Sequence, residues 1–122
     1  MKYAAILTSN ADDIAAWEQM SPEEAAAARA EEVPKWNALF NELGQTGKIG
    51  FGAELEAPKT AKTVRVRDGE TLVTDGPFAE TKEQIGGVIV LDADDLDEAI
   101  SIAARIPVAL RASVELRPVI EH

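Results

Sequence analysis

The 122 residues carry 12 Lys and Arg against 22 Asp and Glu, a net charge of -10, with 46% apolar and 28% charged residues. That length fits one domain spanning 1–122, and the composition excludes wholesale disorder, collagen-like repeats and low-complexity classes. The acidic balance repels a phosphate backbone and offers no basic anchor for anionic lipid, so neither nucleic acid nor membrane is an expected partner.

The run Lys2-Tyr3-Ala4-Ala5-Ile6-Leu7-Thr8 predicts a buried strand, and Ser9-Asn10 with Asp12-Asp13 predicts a loop after it. Ser21-Pro22-Glu23-Glu24 then opens a helix, with a capping serine, a proline at the first helical position and a glutamate that can return to the capping N–H. Val33, Trp36, Leu39, Phe40 and Leu43 share one face of it, and Gly44 supplies a stop. Pro34 lacks an amide hydrogen, so a kink or a division into two helices is expected near Glu32.

Ile49 to Leu55 contains glycines and predicts a bulged strand, which Ala57-Pro58-Lys59 breaks. Thr63-Val64-Arg65-Val66-Arg67 and Glu70-Thr71-Leu72-Val73-Thr74 flank Asp68-Gly69, a dipeptide suited to a type I′ hairpin turn. A two-residue turn sets Arg67 opposite Glu70, Val66 opposite Thr71, Arg65 opposite Leu72 and Val64 opposite Val73. Ile85 to Leu91 has the branching of a central strand, with Gly86-Gly87 marking a bulge or a close backbone approach. Asp94-Asp95 caps a further helix whose expected buried stripe is Leu96, Ala99, Ile100 and Ala103, with Arg105 in its last turn. Pro107 stops that helix, and Ala112 to Val119 alternates into a closing strand.

This order is an α+β, ferredoxin-like split βαβ plan with an inserted β-hairpin and both helices on one face of an antiparallel sheet. The other sheet face would stay open in a lone chain, so a homodimer formed through it is expected. No apolar run reaches the roughly 18 residues of a membrane span, and the apolar start is too short for a secretory signal. With zero cysteines the chain fits a reducing compartment, so a cytoplasmic location is expected.

Chemistry is sparse. The sole histidine is the terminal His122, and the usual phosphate-loop, dinucleotide, serine-hydrolase and zinc-protease motifs are missing. Asp92, Asp94, Asp95, Asp97 and Glu98 lack the glycine and terminal glutamate of a calcium loop, and helix capping accounts for them. No cofactor and no metal is expected. Asp75, before Gly76-Pro77-Phe78, either stabilises a turn or acts as a base or ligand acceptor at a pocket mouth, with Glu80 and Lys82 near it. Glu115 and Arg117 lie opposite Val114 and Leu116 on the closing strand, as an ion pair or a substrate clamp. Lys59, Lys62, Arg65 and Arg67 form a basic patch that serves as a solvated hairpin edge or an anion site.

The string Thr74-Asp75-Gly76-Pro77-Phe78-Ala79-Glu80-Thr81-Lys82-Glu83, then Gly86-Gly87 and Asp92-x-Asp94-Asp95-Leu96-Asp97-Glu98-Ala99, resembles the YCII-related, DGPF-domain family. The hairpin and the closing Val114-Glu115-Leu116-Arg117-Pro118-Val119 are similar too. The resemblance implies a dimeric α/β barrel. It implies a His and Asp pair in enzyme-like relatives, of which this chain retains only Asp75 as a motif carboxylate, and extracytoplasmic-function sigma factors as neighbours of the DGPF branch.

Three readings follow. In the first, the protein is a small-molecule-binding or accessory module whose candidate ligand-binding residues are Asp75, Phe78, Glu80, Lys82, Arg65, Glu115 and Arg117. In the second it is an enzyme of the isomerase or lyase type acting on a small organic acid, with Asp75 as base and Arg65 or Arg117 holding the anion. In the third it is a partner of a transcription regulator.

Overall fold

A computed structural model of the chain describes residues 1–77 and 83–122. Its elements are β1 (Lys2–Asn10), α1 (Ala11–Gln19), α2 (Pro22–Gly44), β2 (Ile49–Glu54), β3 (Lys62–Arg67), β4 (Glu70–Asp75), β5 (Glu83–Asp92), α3 (Leu96–Ala103) and β6 (Val114–Pro118), with 3₁₀ turns at Pro58–Thr60 and Pro107–Leu110. Strands β2, β5, β1 and β6 lie side by side in that order in one antiparallel sheet, and β3 and β4 pair separately as a hairpin. With the hairpin and α1 set aside, this is the ferredoxin-like βαββαβ order. Among the described residues no helix is long and apolar enough to cross a membrane.

Side-chain alternation sorts the sheet into two faces. Tyr3, Ala5 and Leu7 of β1 are buried with Ile89 and Leu91 of β5, and the register sets Tyr3 beside Leu91 and Ala5 beside Ile89. Leu116 and Val114 of β6 extend the same row beside Ala5 and Leu7. Leu39 of α2 and Ala99, Ile102 and Ala103 of α3 close over it. On the opposite face the register groups Ala4 with Val90 and Arg117, and Ile6 with Val88 and Glu115.

Local rules explain most element ends. Ser21 Oγ accepts from the Glu24 amide and Glu24 Oε1 accepts from the Ser21 amide, so the capping box forms in both directions. Asp68 and Gly69 both take positive φ, 51° and 77°, as a type I′ turn requires, and all four hairpin pairs occur in the expected register. Between β1 and β5 the pairing jumps from Leu7–Gly87 to Thr8–Ile85, which makes Gly86 the extra residue of a bulge. A Cβ on Gly87 would lie 2.9 Å from the Ala53 carbonyl oxygen, so the absent side chain is what lets β2 approach.

Four expectations need correction. The segment after β1 is not a loop: Asn10 Oδ1 accepts from the Asp13 amide at 2.8 Å and Asp12 and Asp13 occupy the first turn of α1. That helix buries no residue, so no apolar stripe announced it. Pro34 does not divide α2, which runs unbroken through it. The proline stands on the exposed side of the helix, where water can reach the carbonyl it leaves without an amide partner. In α3 the buried residues are Ala99, Ile102 and Ala103, while Leu96 and Ile100 are 51% and 50% exposed. Asp95 fixes the helix start, and the small alanines let the helix pack closely on the sheet. Arg105 lies beyond that helix and pairs with Glu42 of α2.

Candidate functional site

The apolar face of α2 has two destinations. Leu39 enters the core, whereas Val33 and Phe40 stay 48% and 37% exposed and, with the half-buried Trp36, form one wall of a cleft of about 840 Å³. Trp36 and Phe40 stack with ring centroids 5.9 Å apart and planes at 23°. The facing wall comes from α1 through Asp13, Ile14 and Trp17, and the floor from Gly52–Leu55 and Gln84–Gly86 at adjoining ends of β2 and β5.

Polar groups around the cleft hold its walls. Glu32 accepts from Trp36 Nε1 at 3.0 Å and from Arg111 Nη2 at 3.0 and 3.2 Å, tying α2 to the segment before β6. The Arg29 guanidinium lies 5.0 Å above the Trp17 ring and donates to Glu54 Oε1 at 3.3 Å, tying α1, α2 and β2 together. Asp13 differs: its Oδ2 is sealed from solvent and has no hydrogen-bond partner among the described residues. A carboxylate oxygen in that condition carries an uncompensated desolvation cost.

Of the residues singled out from sequence, Asp75 ends β4 with its side chain 86% exposed and paired to Lys62, its cross-strand neighbour. It is not part of the cleft lining. Arg65 is half-buried on the other hairpin face, beside Leu72, so the alternation directs Asp75 and Arg65 to opposite sides. Glu115 and Arg117 pair with each other at 3.1 Å on the sheet face away from the helices. Phe78, Glu80 and Lys82 lie outside the described residues. Of the basic patch, Lys62 is engaged by Asp75, and Arg67 faces Glu70 across the strands.

The acidic stretch before α3 is structural. Asp95 Oδ1 accepts from the Glu98 amide at 2.8 Å, and Lys48 Nζ bridges Glu98 at 2.7 Å and Asp94 at 3.2 Å. Hydrogen bonding to Lys48, with the Asp94 amide adding to it, holds the Glu98 carboxyl below the usual glutamate range, and the Glu98 and Asp94 bonds push Lys48 up. Among the described residues, no group of three or more acidic or histidine side chains is arranged to hold a metal ion.

Asp13, Trp17, Arg29 and Glu32 were not singled out from sequence as site residues. The available signal was short: a capping asparagine followed by Asp13, Ile14 and Trp17, one helical turn apart. Over 84 residues the chain is 42% identical to an uncharacterised protein of Rhizobium meliloti (strain 1021), a match that covers 67% of this chain and 68% of that protein. The YCII-related domain matches residues 1–122, the full sequence, so the resemblance carried by the DGPF string and the ferredoxin-like order meet in one conclusion: the chain belongs to the YCII-related family.

Proposed function

We propose that this YCII-related protein is a cytoplasmic, homodimeric small-molecule-binding or accessory module, and that its ligand lies in the cleft between α1, α2 and the sheet. The observation that carries the reading is the cleft itself, whose volume of about 840 Å³ falls within the roughly 300–1,000 Å³ of small-molecule sites. Its aromatic walls support the same reading. Trp36 and Phe40 hold a partly exposed stacked surface that core packing alone would have covered. The dimer is supported by the open sheet face, where Ala4, Ile6, Val88 and Val90 form an apolar row beside the Glu115–Arg117 pair.

Both tryptophans of the chain line the cleft, so intrinsic fluorescence reports on it directly. Titration with 2-phenylethanol should give a saturable change in emission, weakened in Val33→Phe, which fills the wall. A strictly linear response, the same in both proteins, would remove the cleft as a binding site.

A further inference from the structure

The charges around the cleft are not balanced. Asp13, Glu18, Glu31, Glu32, Glu54 and Glu56 line it against Arg29 and Arg111 among the described residues. Each of those arginines already has a carboxylate partner, Glu54 for Arg29 and Glu32 for Arg111. Among the described residues, therefore, no lining cation is left over to neutralise an anionic ligand. Of the lining carboxylates left without a cation among the described residues, Asp13 is the one with an oxygen sealed from water and lacking a donor.

A donor arriving through the cleft resolves this. Asp13 lines the cleft, and because its two carboxylate oxygens share one charge, a positive group bound beside it there offsets the desolvation cost whichever oxygen is the sealed one. A charge-assisted bond there is stronger than a neutral one, and the Trp36 and Phe40 rings attract a cation while packing against an apolar body. Resting on the cleft reading above, we infer that the ligand is a protonated organic amine with an apolar body, its nitrogen on Asp13 and its body against the Trp36–Phe40 wall. The acidic lining disfavours small organic acids by the same logic.

Calorimetric titration of the full chain at neutral pH and low salt with 2-phenylethylamine, 2-phenylethanol and 3-phenylpropanoate tests this, because the three probes share a ring and differ in charge. The amine should bind about tenfold tighter than the alcohol, with the acid weakest. In Asp13→Asn the amine should fall to the alcohol's affinity while the alcohol is unmoved. An acid that binds as tightly as the amine, or an amine preference that survives Asp13→Asn, overturns the assignment. The ranking on the unsubstituted protein needs no variant to fold. Binding of the alcohol without an advantage for the amine overturns the ligand class and leaves the cleft reading intact, whereas no binding of any probe overturns both.

Discussion

Lys48 Nζ sits 2.7 Å from Glu98 Oε1, joining the residue just before β2 to the first turn of α3 across the end of the core. The hydrogen bond from Lys48 depresses the folded-state pKa of Glu98, so the pair's contribution to stability is present above the glutamate's unfolded pKa and is lost as pH falls through the folded one. Lys48 is shifted upward, chiefly by Glu98, and its contribution is lost only as pH rises through that raised value. Glu98→Gln should therefore lower the melting temperature at neutral pH, and the deficit should shrink as the solution is acidified below the glutamate range. Thermal melts of both proteins across pH check this; a deficit that stays constant into acid would mean that charge is not the cause.

Gly87 and Gly86 are neighbours with different obligations. A Cβ on Gly87 meets the Ala53 carbonyl oxygen at 2.9 Å, a backbone atom that moves only with the whole of β2. On Gly86 it meets the Ser9 hydroxyl at 3.3 Å, the end of a side chain that can turn away. Gly87→Ala should cost about 1–3 kcal/mol, the range for overpacking, and Gly86→Ala less. Urea denaturation of the two variants compares them, and a larger loss at Gly86 would contradict the close approach of β2 and β5.

Glu32 is the keystone of the cleft wall, because one carboxylate accepts from both Trp36 and Arg111. Glu32→Ala leaves the half-buried indole N–H without its acceptor and Arg111 without its carboxylate, and about 1–3 kcal/mol is the usual cost of an unsatisfied buried donor. Glu32→Gln keeps an acceptor for the indole and should recover part of the loss. Denaturant midpoints of the two variants decide this. Equal losses in both would place the effect in the charge pair with Arg111 and not in the indole bond.

How much of this was legible in the sequence depended on range. The hairpin register follows from Asp68-Gly69 and its immediate flanks, and the β5 bulge from Gly86-Gly87, because each is decided by residues close in the chain. Helix α1 escaped because none of its residues is buried, which leaves only the Asn10 cap and the Ile14–Trp17 spacing to read. Ile100 and Leu96 were assigned to the core by spacing alone, yet two alanines and Ile102 occupy it, since tertiary packing chose the face that lets α3 come closest. The cleft depends on Asp13 of α1 and Trp36 of α2 lining one space and on the turn of α2 that separates Leu39 from Phe40, neither of which a motif records. The DGPF string marks the family, while its Asp75 stands exposed on the hairpin, paired with Lys62.

That exposure makes Asp75 a useful control. A surface ion pair with 86% and 63% of its side chains accessible contributes little, so Asp75→Asn should leave the denaturation midpoint and the 2-phenylethanol affinity within measurement error of the unsubstituted protein. Loss of binding in this variant would draw the ligand toward the hairpin and away from the α1–α2 cleft.

Ile6 stands at the centre of the open sheet face, with Val88 on one flank and Glu115 on the other. In a lone chain this apolar row meets water; in a two-fold dimer it would meet its own copy, with the charges of Glu115 and Arg117 at its side. Ile6→Asp buries no new group in the helix-facing core, since Tyr3, Ala5 and Leu7 alone of the nearby β1 residues point there. In the proposed dimer it would place a carboxylate against its own copy, beside Glu115. The substituted protein should remain folded by circular dichroism and sediment as a single chain of 13.1 kDa, whereas the unsubstituted protein should sediment at twice that mass. If the unsubstituted protein already sediments as one chain at micromolar concentration, the dimer and the role given to this face both fall.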